Sequence, residues 1–339
     1  MSISYDFAGK TVVVTGSARG IGRRIGERFY EAGANVAFCS ISAGGKEELM
    51  QEVAGSDRSR IMAKSVDVSK PEQIEAFFQD VVVKFGALDV LVNNAGIFTS
   101  ETVDTVTEAD WARVMDTNLK SMVFTSQWFS RYHKEQGTGG NIVNIASVSS
   151  VTYIPHNLLY NISKAGVVTL TKTLARDLGP CGIRVNAVGP GSIPTDLNAA
   201  LYADKQREID LCNKIPLGRR GTKDDIANCV LFLASDESSY LTGQVIYAEG
   251  GWCWFRASTS LAGSAGPMPG VGQPSFRLPS KTVKFSECAA DTIRRMVRCI
   301  PASTVEYLGL RIIGFSKEGE GFYDSGHGAC AACEGGRRA

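Results

Sequence analysis

Short apolar runs alternate with longer amphipathic stretches over roughly the first 250 residues of the chain. The apolar runs are rich in Val and Ile, which is typical of strands buried on both faces. They cover residues 11–16, 35–40, 61–68, 88–96, 140–147, 183–191 and 243–251. Helical patterns lie between them, at 20–33, 71–85, 108–134, 157–178 and 223–234. Strands that alternate with helices predict a single doubly wound α/β domain with a parallel, seven-stranded sheet.

The composition of the chain changes after Trp254. Residues 255–339 begin with a stretch rich in Gly, Pro and Ser, which is typical of a linker. A short helix and a strand are predicted further on, in an extension that we expect to be partly disordered. Its end holds His327, Cys330 and Cys333, but one Cys-x-x-C is at most half of a zinc site. We therefore predict a domain over 1–254, an extension over 255–339 and no metal site.

Charge and cysteine usage limit the class of protein. The 36 Lys and Arg residues nearly balance the 35 Asp and Glu residues, and a net charge of +1 argues against nucleic acid as the main partner. The first residues resemble no secretory signal, and no apolar run is long enough for a membrane span. The nine cysteines have no regular spacing. We expect a cytoplasmic protein that binds neither nucleic acid nor membrane.

The sequence TGSARGIG, residues 15–22, follows the first predicted strand and opens the first helix. Gly16 permits a tight turn, Gly20 lets backbone amides approach a phosphate, and Gly22 lets the helix pack on the sheet. The free N–H groups of a helix N-terminus favour a pyrophosphate. The domain is thus predicted to be a dinucleotide-binding Rossmann fold. The expected cofactor contacts in this turn are Gly16, Ser17, Arg19, Gly20, Ile21 and Gly22.

The end of the second predicted strand bears on which dinucleotide binds. No Asp or Glu occurs between Glu31 and Glu47. A carboxylate there would bind the ribose hydroxyls of NAD(H) and repel a 2′-phosphate. Its absence, together with Arg19 and the small donors Ser40 and Ser42, favours NADP(H), with NAD(H) as the alternative.

Polar residues also follow the third and fourth predicted strands, in VDV (66–68) and NNAG (93–96). Ligands of open α/β sheets bind at the carboxyl ends of the strands. Asp67 is a candidate acceptor for an adenine amino group, whereas Asn93 either contacts the cofactor or ties neighbouring strands together. The expected cofactor contacts here are Asp67, Val68, Asn94, Ala95 and Gly96.

Tyr160 and Lys164 stand four residues apart, so they share one face of the predicted helix. A Tyr-x-x-x-Lys pair is common by chance, so only the other motifs of the chain can indicate whether it is functional. TGSARGIG, NNAG, Asn118, Ser147, YNISK and VGPGSIPT occur in an order and spacing that resemble the short-chain dehydrogenase/reductase family over about residues 6–254. The extension after Trp254 has no counterpart in the usual family member.

The resemblance implies an NAD(P)-dependent oxidoreductase in which Tyr160 is the general acid or base. Lys164 is expected to lower the pKa of the phenol and to bind the nicotinamide ribose. Ser147 would hold the substrate oxygen, and Asn118 would position a water. The resemblance also implies a homotetramer or homodimer, a flap formed by residues 191–218, and further cofactor contacts at Tyr160, Lys164, Pro190, Gly191, Ile193 and Thr195.

The substrate is less well indicated by the sequence. The segment VGPGSIPTDLNA (188–199) and the stretch over 215–243 resemble those of sugar and polyol dehydrogenases such as glucose 1-dehydrogenase, which predicts a sugar, a polyol or a small ketone. Alternatives are a 3-oxoacyl-[acyl-carrier-protein] reductase, with Arg219, Arg220 and Lys223 as a basic patch for the acidic carrier, and a secondary-metabolite ketoreductase. A nucleotide-sensing regulator without catalysis is disfavoured because such proteins typically lack the Tyr or the Lys. The expected substrate contacts are Ser149, Ile154, His156 and Asn157.

Overall fold

The protein forms a seven-stranded parallel sheet with helices on both faces. The computed structural model describes residues 4–41, 45–196, 198 and 204–252. The strands are β1 (Thr11–Thr15), β2 (Asn35–Ser40), β3 (Ile61–Ser65), β4 (Val90–Asn93), β5 (Gly140–Ile145), β6 (Ile183–Pro190) and β7 (Val245–Ala248). Their order in the sheet is β3-β2-β1-β4-β5-β6-β7, and every neighbouring pair is parallel. The predicted fold class is confirmed.

Helices connect the successive strands, because parallel strands need crossover connections. They are α1 (Gly20–Glu31), α2 (Lys46–Ala54), α3 (Pro71–Phe85), α4 (Glu108–Met115), α5 (Ser121–Gln136), α6 (Leu158–Leu178), α7 (Lys205–Cys212) and α8 (Lys223–Ala234). No helix within the described ranges is both long and apolar enough to cross a bilayer. The predictions for residues 255–339, like Ser42, lie outside the described residues.

Successive side chains of β1 pack into two different hydrophobic clusters, one on each face of the sheet. All five residues of β1 are buried. Val12 and Val14 belong to the cluster that includes Ile25 and Phe29 of α1, whereas Val13 belongs to the opposite cluster with the apolar residues of α3. Because successive side chains point to opposite faces, a strand covered on both faces must be apolar throughout.

The structure corrects the predicted helix over 108–134. A π-helical turn, Asp116–Lys120, separates α4 from α5, so this region consists of two helices with an irregular turn between them. The apolar pattern continues across the turn, and periodicity alone does not reveal it. This turn contains Asn118, and irregular turns of this kind often occur at functional sites.

Two short helices were not predicted. Only Leu49 is buried in α2, and no residue of α7 is buried. Both helices are short, with nine and eight residues, so each offers too few apolar positions for a helical period to stand out. The helix α7 lies within the segment 191–218 that was expected to form a flap, and part of that segment lies outside the described residues.

The strands also end earlier than the sequence predicts. The third ends at Ser65 rather than residue 68, the fourth at Asn93 rather than 96, and the fifth at Ile145 rather than 147. In each case the extra residues form the loop at the carboxyl end of the strand. Such loops carry the polar and glycine residues that face a ligand.

Candidate active site

The carboxyl ends of β1 to β6 open on one cavity of about 550 Å³. The chain reverses its order in the sheet between β1 and β4, which is where open α/β sheets bind their ligands. All of the cofactor contacts expected from the sequence line this cavity except Ser17. Folding therefore brings together residues that are spread over about 180 positions in the chain.

The glycine turn is shaped so that only glycine fits at its first position. Gly16 has a φ of +63°, and a Cβ there would lie 2.6 Å from the Cα of Ala95. The N-cap of α1 is Arg19, whose side chain makes no capping hydrogen bond. The first N–H groups of α1 thus lack a side-chain acceptor at a helix end that lines the cavity. A pyrophosphate fits such an end through those N–H groups and the helix dipole.

Ser17 has a structural position in this turn. Its side chain is fully buried, and its hydroxyl donates to the carbonyl of Val14 over 2.7 Å. The N–H of Cys39 in turn donates to Ser17 Oγ over 3.0 Å. The residue therefore joins the glycine turn to β1 and β2.

Thr15 is a site residue that the sequence analysis missed. Its hydroxyl oxygen accepts the N–H groups of Asn94, over 3.0 Å, and Ala95, over 3.1 Å. The Asn94 amide donates to the carbonyl of Gly16 over 2.9 Å. These bonds lock the loop after β4 against the glycine turn. The only sequence signal is the position of Thr15 directly before Gly16, and a threonine in a strand usually needs no such explanation.

Asn93 does not line the cavity and instead joins β4 to the neighbouring strand β5 and to α5. Its amide donates to Asn144 Oδ1 over 2.9 Å, and its own Oδ1 accepts the hydroxyl of Thr125 over 2.7 Å. Asn144 continues the chain by donating to the hydroxyl of Thr171 over 3.0 Å. All four side chains are buried. Of the two interpretations of Asn93, the structural one agrees with these contacts.

The end of β2 and the loop after β3 form one end of the cavity. Ser40, Asp67 and Val68 line it, and Asp67 Oδ1 accepts the N–H of Ser69 over 2.9 Å. Arg19 Nε lies 3.8 Å from Asp196 Oδ2, and both side chains are largely exposed. An exposed guanidinium in the glycine turn is well placed to meet an anionic group.

Asn118 lies beneath the cavity rather than on its wall. The side chain is fully buried in the π-helical turn. Its Oδ1 accepts the N–H of Ile97 over 2.8 Å, and its amide donates to the carbonyl of Ile97 over 3.0 Å and to Ser163 Oγ over 3.1 Å. Asn118 therefore joins the loop after β4 to α6.

Ser147, Tyr160 and Lys164 all line the cavity. Ser147 lies near enough to Tyr160 to lower the pKa of its phenol, and its Oγ accepts the N–H of Ser149 over 3.2 Å. Lys164 is buried, and its Nζ donates to the carbonyl of Ile145 over 2.8 Å. The same Nζ lies 5.7 Å from the centroid of the Tyr160 ring. The end of β5 and the first turns of α6 thus place a hydroxyl, a phenol and an ammonium together.

The electrostatics of this group differ from the expectation. Burial raises the pKa of Tyr160 above its ordinary value, and the interaction with Ser147 offsets this only in part. Burial also lowers the pKa of Lys164 to about 8. The prediction that Lys164 lowers the pKa of Tyr160 is wrong for the protein alone. The reason is that both groups are desolvated and the Lys164 ammonium is directed at a backbone carbonyl.

The structure places only one of the four expected substrate residues on the cavity wall. Ile154 lines the cavity, but Ser149, His156 and Asn157 are absent from its wall over the described part of the chain. Ser149 is buried, the Asn157 amide donates to the carbonyl of Pro155 over 2.6 Å, and His156 is exposed with a left-handed φ of 59°. Other cavity residues were not anticipated, because they lie outside the motifs: Ile41, Ile97, Phe98, Arg113, Thr117 and Trp252.

Comparisons with known proteins agree with this arrangement. The family model described as enoyl-(acyl carrier protein) reductase matches residues 16–253, which is well over half of the chain. The chain belongs to the short-chain dehydrogenase/reductase family. Like other members, it is an oxidoreductase of the class that acts on alcohol and keto groups and uses a nicotinamide cofactor.

Individual short-chain dehydrogenases and reductases cover most of the domain. The 3β-hydroxysteroid dehydrogenase 1 of Eggerthella lenta is 38% identical over 249 residues, 73% of this chain and 94% of that protein. The 3-oxoacyl-[acyl-carrier-protein] reductase FabG of Thermotoga maritima is 41% identical over 243 residues, 72% of this chain and 97% of its own. A structure of a proposed 2-deoxy-D-gluconate 3-dehydrogenase from Agrobacterium tumefaciens with bound NADP is 34% identical, with a TM-score of 0.68, and the match covers 75% of this chain and all of that one.

Proposed function

We propose that the chain transfers a hydride between NADP(H) and a carbonyl or secondary alcohol, with Tyr160 as the general acid or base. The observation that carries the proposal is the shared cavity. Ser147, Tyr160 and Lys164 line the same space as the uncapped N-terminus of α1. A cofactor whose pyrophosphate lies at that helix end would extend along the cavity towards the three side chains.

Each side chain has a task that its position supports. A nicotinamide, when bound, supplies the hydride to the carbonyl carbon and is itself oxidised. Tyr160 gives its hydroxyl proton to the carbonyl oxygen, and Ser147 orients that oxygen. Lys164 replaces the proton on Tyr160, since a pKa of about 8 allows proton exchange near neutral pH. Asn118 positions α6 through Ser163, and with it Tyr160.

The test of this assignment is Tyr160→Phe, which removes the acidic hydroxyl and keeps the ring. We expect kcat for ketone reduction to fall by about 10²–10⁴-fold, because that is the usual contribution of positioned acid catalysis. The Kd for NADPH, measured by fluorescence titration, should change by less than about threefold. A variant that keeps substantial turnover would contradict the role of Tyr160.

We also propose that NADP(H) is preferred over NAD(H). The position of Arg19 in the glycine turn supports this, as does the absence of a carboxylate between Glu31 and Glu47. Arg19→Ser should weaken NADPH binding by about tenfold or more, because hydrogen bonds to charged groups contribute ~1.5–3 kcal/mol. NADH binding should change little.

The control for this experiment is Arg176→Ser, which removes the same charge at the far, exposed end of α6. Both cofactors are titrated into the wild type and each variant. Equal or tighter binding of NADH by the wild type would overturn the preference.

Reduction of 3-oxoacyl groups on a carrier protein is a second candidate, because the Thermotoga relative bears that name. Two of the three residues of the basic patch expected for it, Arg219 and Arg220, are held by contacts within the chain. Arg219 Nη1 lies 2.8 Å from Asp225 Oδ2, and Arg220 is 8% exposed and donates to Ser192 Oγ over 3.1 Å. These contacts favour a substrate that arrives without an acidic carrier.

We further propose that the protein assembles as a homotetramer or homodimer. Large apolar side chains remain exposed on three successive helices, namely Trp111 on α4, Val123 on α5 and Ile162 on α6. The edge strand β7 is only half-buried along its whole length. Surfaces of this kind commonly become buried between subunits.

A further inference from the structure

We propose that the substrate is an apolar carbonyl compound, or the corresponding secondary alcohol, rather than a polyhydroxylated sugar. The inference depends on three residues that line the cavity together with Tyr160, namely Phe98, Val148 and Ile154. We call these three residues the apolar wall. The inference rests on the proposed function, since it assigns the substrate class of that same site.

Phe98 packs directly against the ring of Tyr160. Its ring centroid lies 4.9 Å from that of Tyr160, and the two rings meet edge to face at 68°. A substrate whose oxygen reaches the Tyr160 hydroxyl must therefore pass beside an aromatic ring. Such rings favour apolar groups and offer no hydrogen bond to a substrate hydroxyl in the ring plane.

The loop that carries Phe98 is held at both ends. On one side, Ile97 exchanges two hydrogen bonds with the buried amide of Asn118. On the other side, the buried carboxylate of Glu101 accepts the N–H of Leu159, directly before Tyr160, over 3.0 Å. Phe98 is thus positioned against Tyr160 by the same groups that position α6.

Ile154 and Val148 extend the apolar wall. Both backbone polar groups of Ile154 are bonded to the side chain of Asn161, the N–H over 3.2 Å and the carbonyl over 3.0 Å. These bonds leave only an apolar side chain to face the cavity. Val148 is buried and directly follows Ser147. The apolar wall therefore presents only hydrocarbon to the cavity near Ser147 and Tyr160.

The polar groups that a sugar would need near Tyr160 are directed elsewhere. Ser149 is buried away from the cavity wall, and the Asn157 amide is bonded to the carbonyl of Pro155. His156 is exposed on the outside of the loop. The remaining polar side chains of the cavity belong to the glycine turn, the ends of β2 to β4, α4 with its π-helical turn, and residues 192–198. A hydroxyl placed against the apolar wall would lose water without gaining a partner.

The decisive experiment compares two ketones of the same ring size. Cyclohexanone has no hydroxyl groups, whereas 2-keto-myo-inositol is the same ring with a hydroxyl on each carbon except the carbonyl carbon. Decalone serves as a larger apolar ketone. NADPH oxidation is followed with the full chain at neutral pH. We expect kcat/KM for cyclohexanone to exceed that for 2-keto-myo-inositol by at least ~100-fold, because an apolar pocket discriminates against an added hydroxyl by about this factor. Decalone should be reduced with a kcat/KM at least as high as that for cyclohexanone.

Variants of Phe98 test the wall itself. Phe98→Ser should lower kcat/KM for decalone by about 10–100-fold, whereas Phe98→Leu, which keeps an apolar surface, should lose much less. NADPH binding, titrated separately by fluorescence, should be similar in both variants and in the wild type. Calorimetric titration of decalone into the NADP⁺-saturated protein provides a readout that does not depend on turnover.

The outcomes separate this inference from the function on which it rests. Reduction of 2-keto-myo-inositol with the higher kcat/KM, or equal loss in Phe98→Ser and Phe98→Leu, would overturn the apolar substrate and leave the oxidoreductase intact. Intact NADPH binding without oxidation by any of the three ketones would overturn the proposed function, and the inference with it.

Discussion

Lys164 shows how strongly the surroundings of a single residue change its chemistry. It is 3% exposed, and its Nζ is bonded to the Ile145 carbonyl. An ammonium removed from water is destabilised relative to the neutral amine, so burial lowers its pKa from 10.5 to about 8. Lys164 therefore gives up its proton more readily than a surface lysine does, which suits its proposed role of resupplying a proton to Tyr160.

This pKa shift predicts a pH-dependent stability. Between pH 8 and 10.5 the unfolded chain holds a proton on Lys164 that the folded protein has lost. Stability rises with pH wherever the unfolded state binds more protons. The free energy of unfolding of the wild type, relative to Lys164→Met, should thus rise across this window, by an amount on the order of 3 kcal/mol.

Urea unfolding at several pH values would measure this difference. Lys172→Met, an exposed position on the same helix, is the charge-matched control and should follow the wild type. A difference between wild type and Lys164→Met that stays constant from pH 8 to 10.5 would show that the lysine is not desolvated.

At the scale of elements, α6 is positioned from a distant part of the chain. Glu101 is 5% exposed, and its Oε1 accepts the N–H of Leu159 and the hydroxyl of Thr99, each over 3.0 Å. The N-cap of α6, Asn157, makes no side-chain capping bond. The first N–H groups of a helix need acceptors, and here a carboxylate from the loop after β4 supplies one.

Removing this carboxylate should affect both stability and catalysis. Glu101→Ala leaves a buried N–H of Leu159 without its acceptor, and we expect a loss of about 1–3 kcal/mol in the free energy of unfolding. A lower kcat should accompany it, because Tyr160 lies in the same helical turn. Glu101→Gln keeps an acceptor oxygen and should lose less of both. Thermal unfolding that is the same for all three proteins would show that the hydrogen bond contributes nothing.

The π-helical turn is another element whose role depends on its neighbours. It lies between α4 and α5 and contains Asn118, which bonds to the backbone of Ile97 and to the hydroxyl of Ser163. Nothing in the residues DTNLK marks such a turn, and each of them is acceptable in an ordinary helix. Contacts between layers, rather than local preference, therefore account for this irregularity.

For the whole molecule, buried polar side chains fix the relation of helices and strands. The chain of hydrogen bonds from Thr125 through Asn93 and Asn144 to Thr171 crosses from α5 through β4 and β5 to α6. Apolar surfaces can slide with little cost, whereas a buried amide that loses its partner costs free energy. These four residues hold the two helices that carry or support the candidate active site in one register.

Truncation tests whether the domain is sufficient by itself. Removal of all residues after Trp254 keeps the seven strands and the whole described cavity wall. We expect the NADPH Kd to stay within about threefold of the full chain and the midpoint of thermal unfolding to change by only a few degrees. Loss of cofactor binding on truncation would show that residues 255–339 belong to the site.

The same pair of proteins addresses assembly. Light scattering gives the mass in solution of the full chain and of the truncated chain. A tetramer or dimer in both is expected if the exposed apolar residues of α4 to α6 form the contacts. A change in mass on truncation would assign the extension a part in assembly.

The sequence by itself determined the class of fold and nearly all of the expected cofactor contacts that line the cavity. Strands buried on both faces must be apolar throughout, and a turn that approaches a phosphate requires glycine, so both leave local patterns. The spacing of Ser147, Tyr160 and Lys164 is local in the same sense, because one helix turn and one strand end hold them.

Only the tertiary structure decided which other residues meet these groups. Thr15, Glu101 and Phe98 act on partners about 60 to 80 positions away, and Asn93 faces the layers rather than the cavity. The pKa values of Tyr160 and Lys164 likewise depend on burial, which is a property of the packed molecule. Local patterns record what a residue does for its own helix or strand, whereas long-range contacts and desolvation arise only when the layers come together.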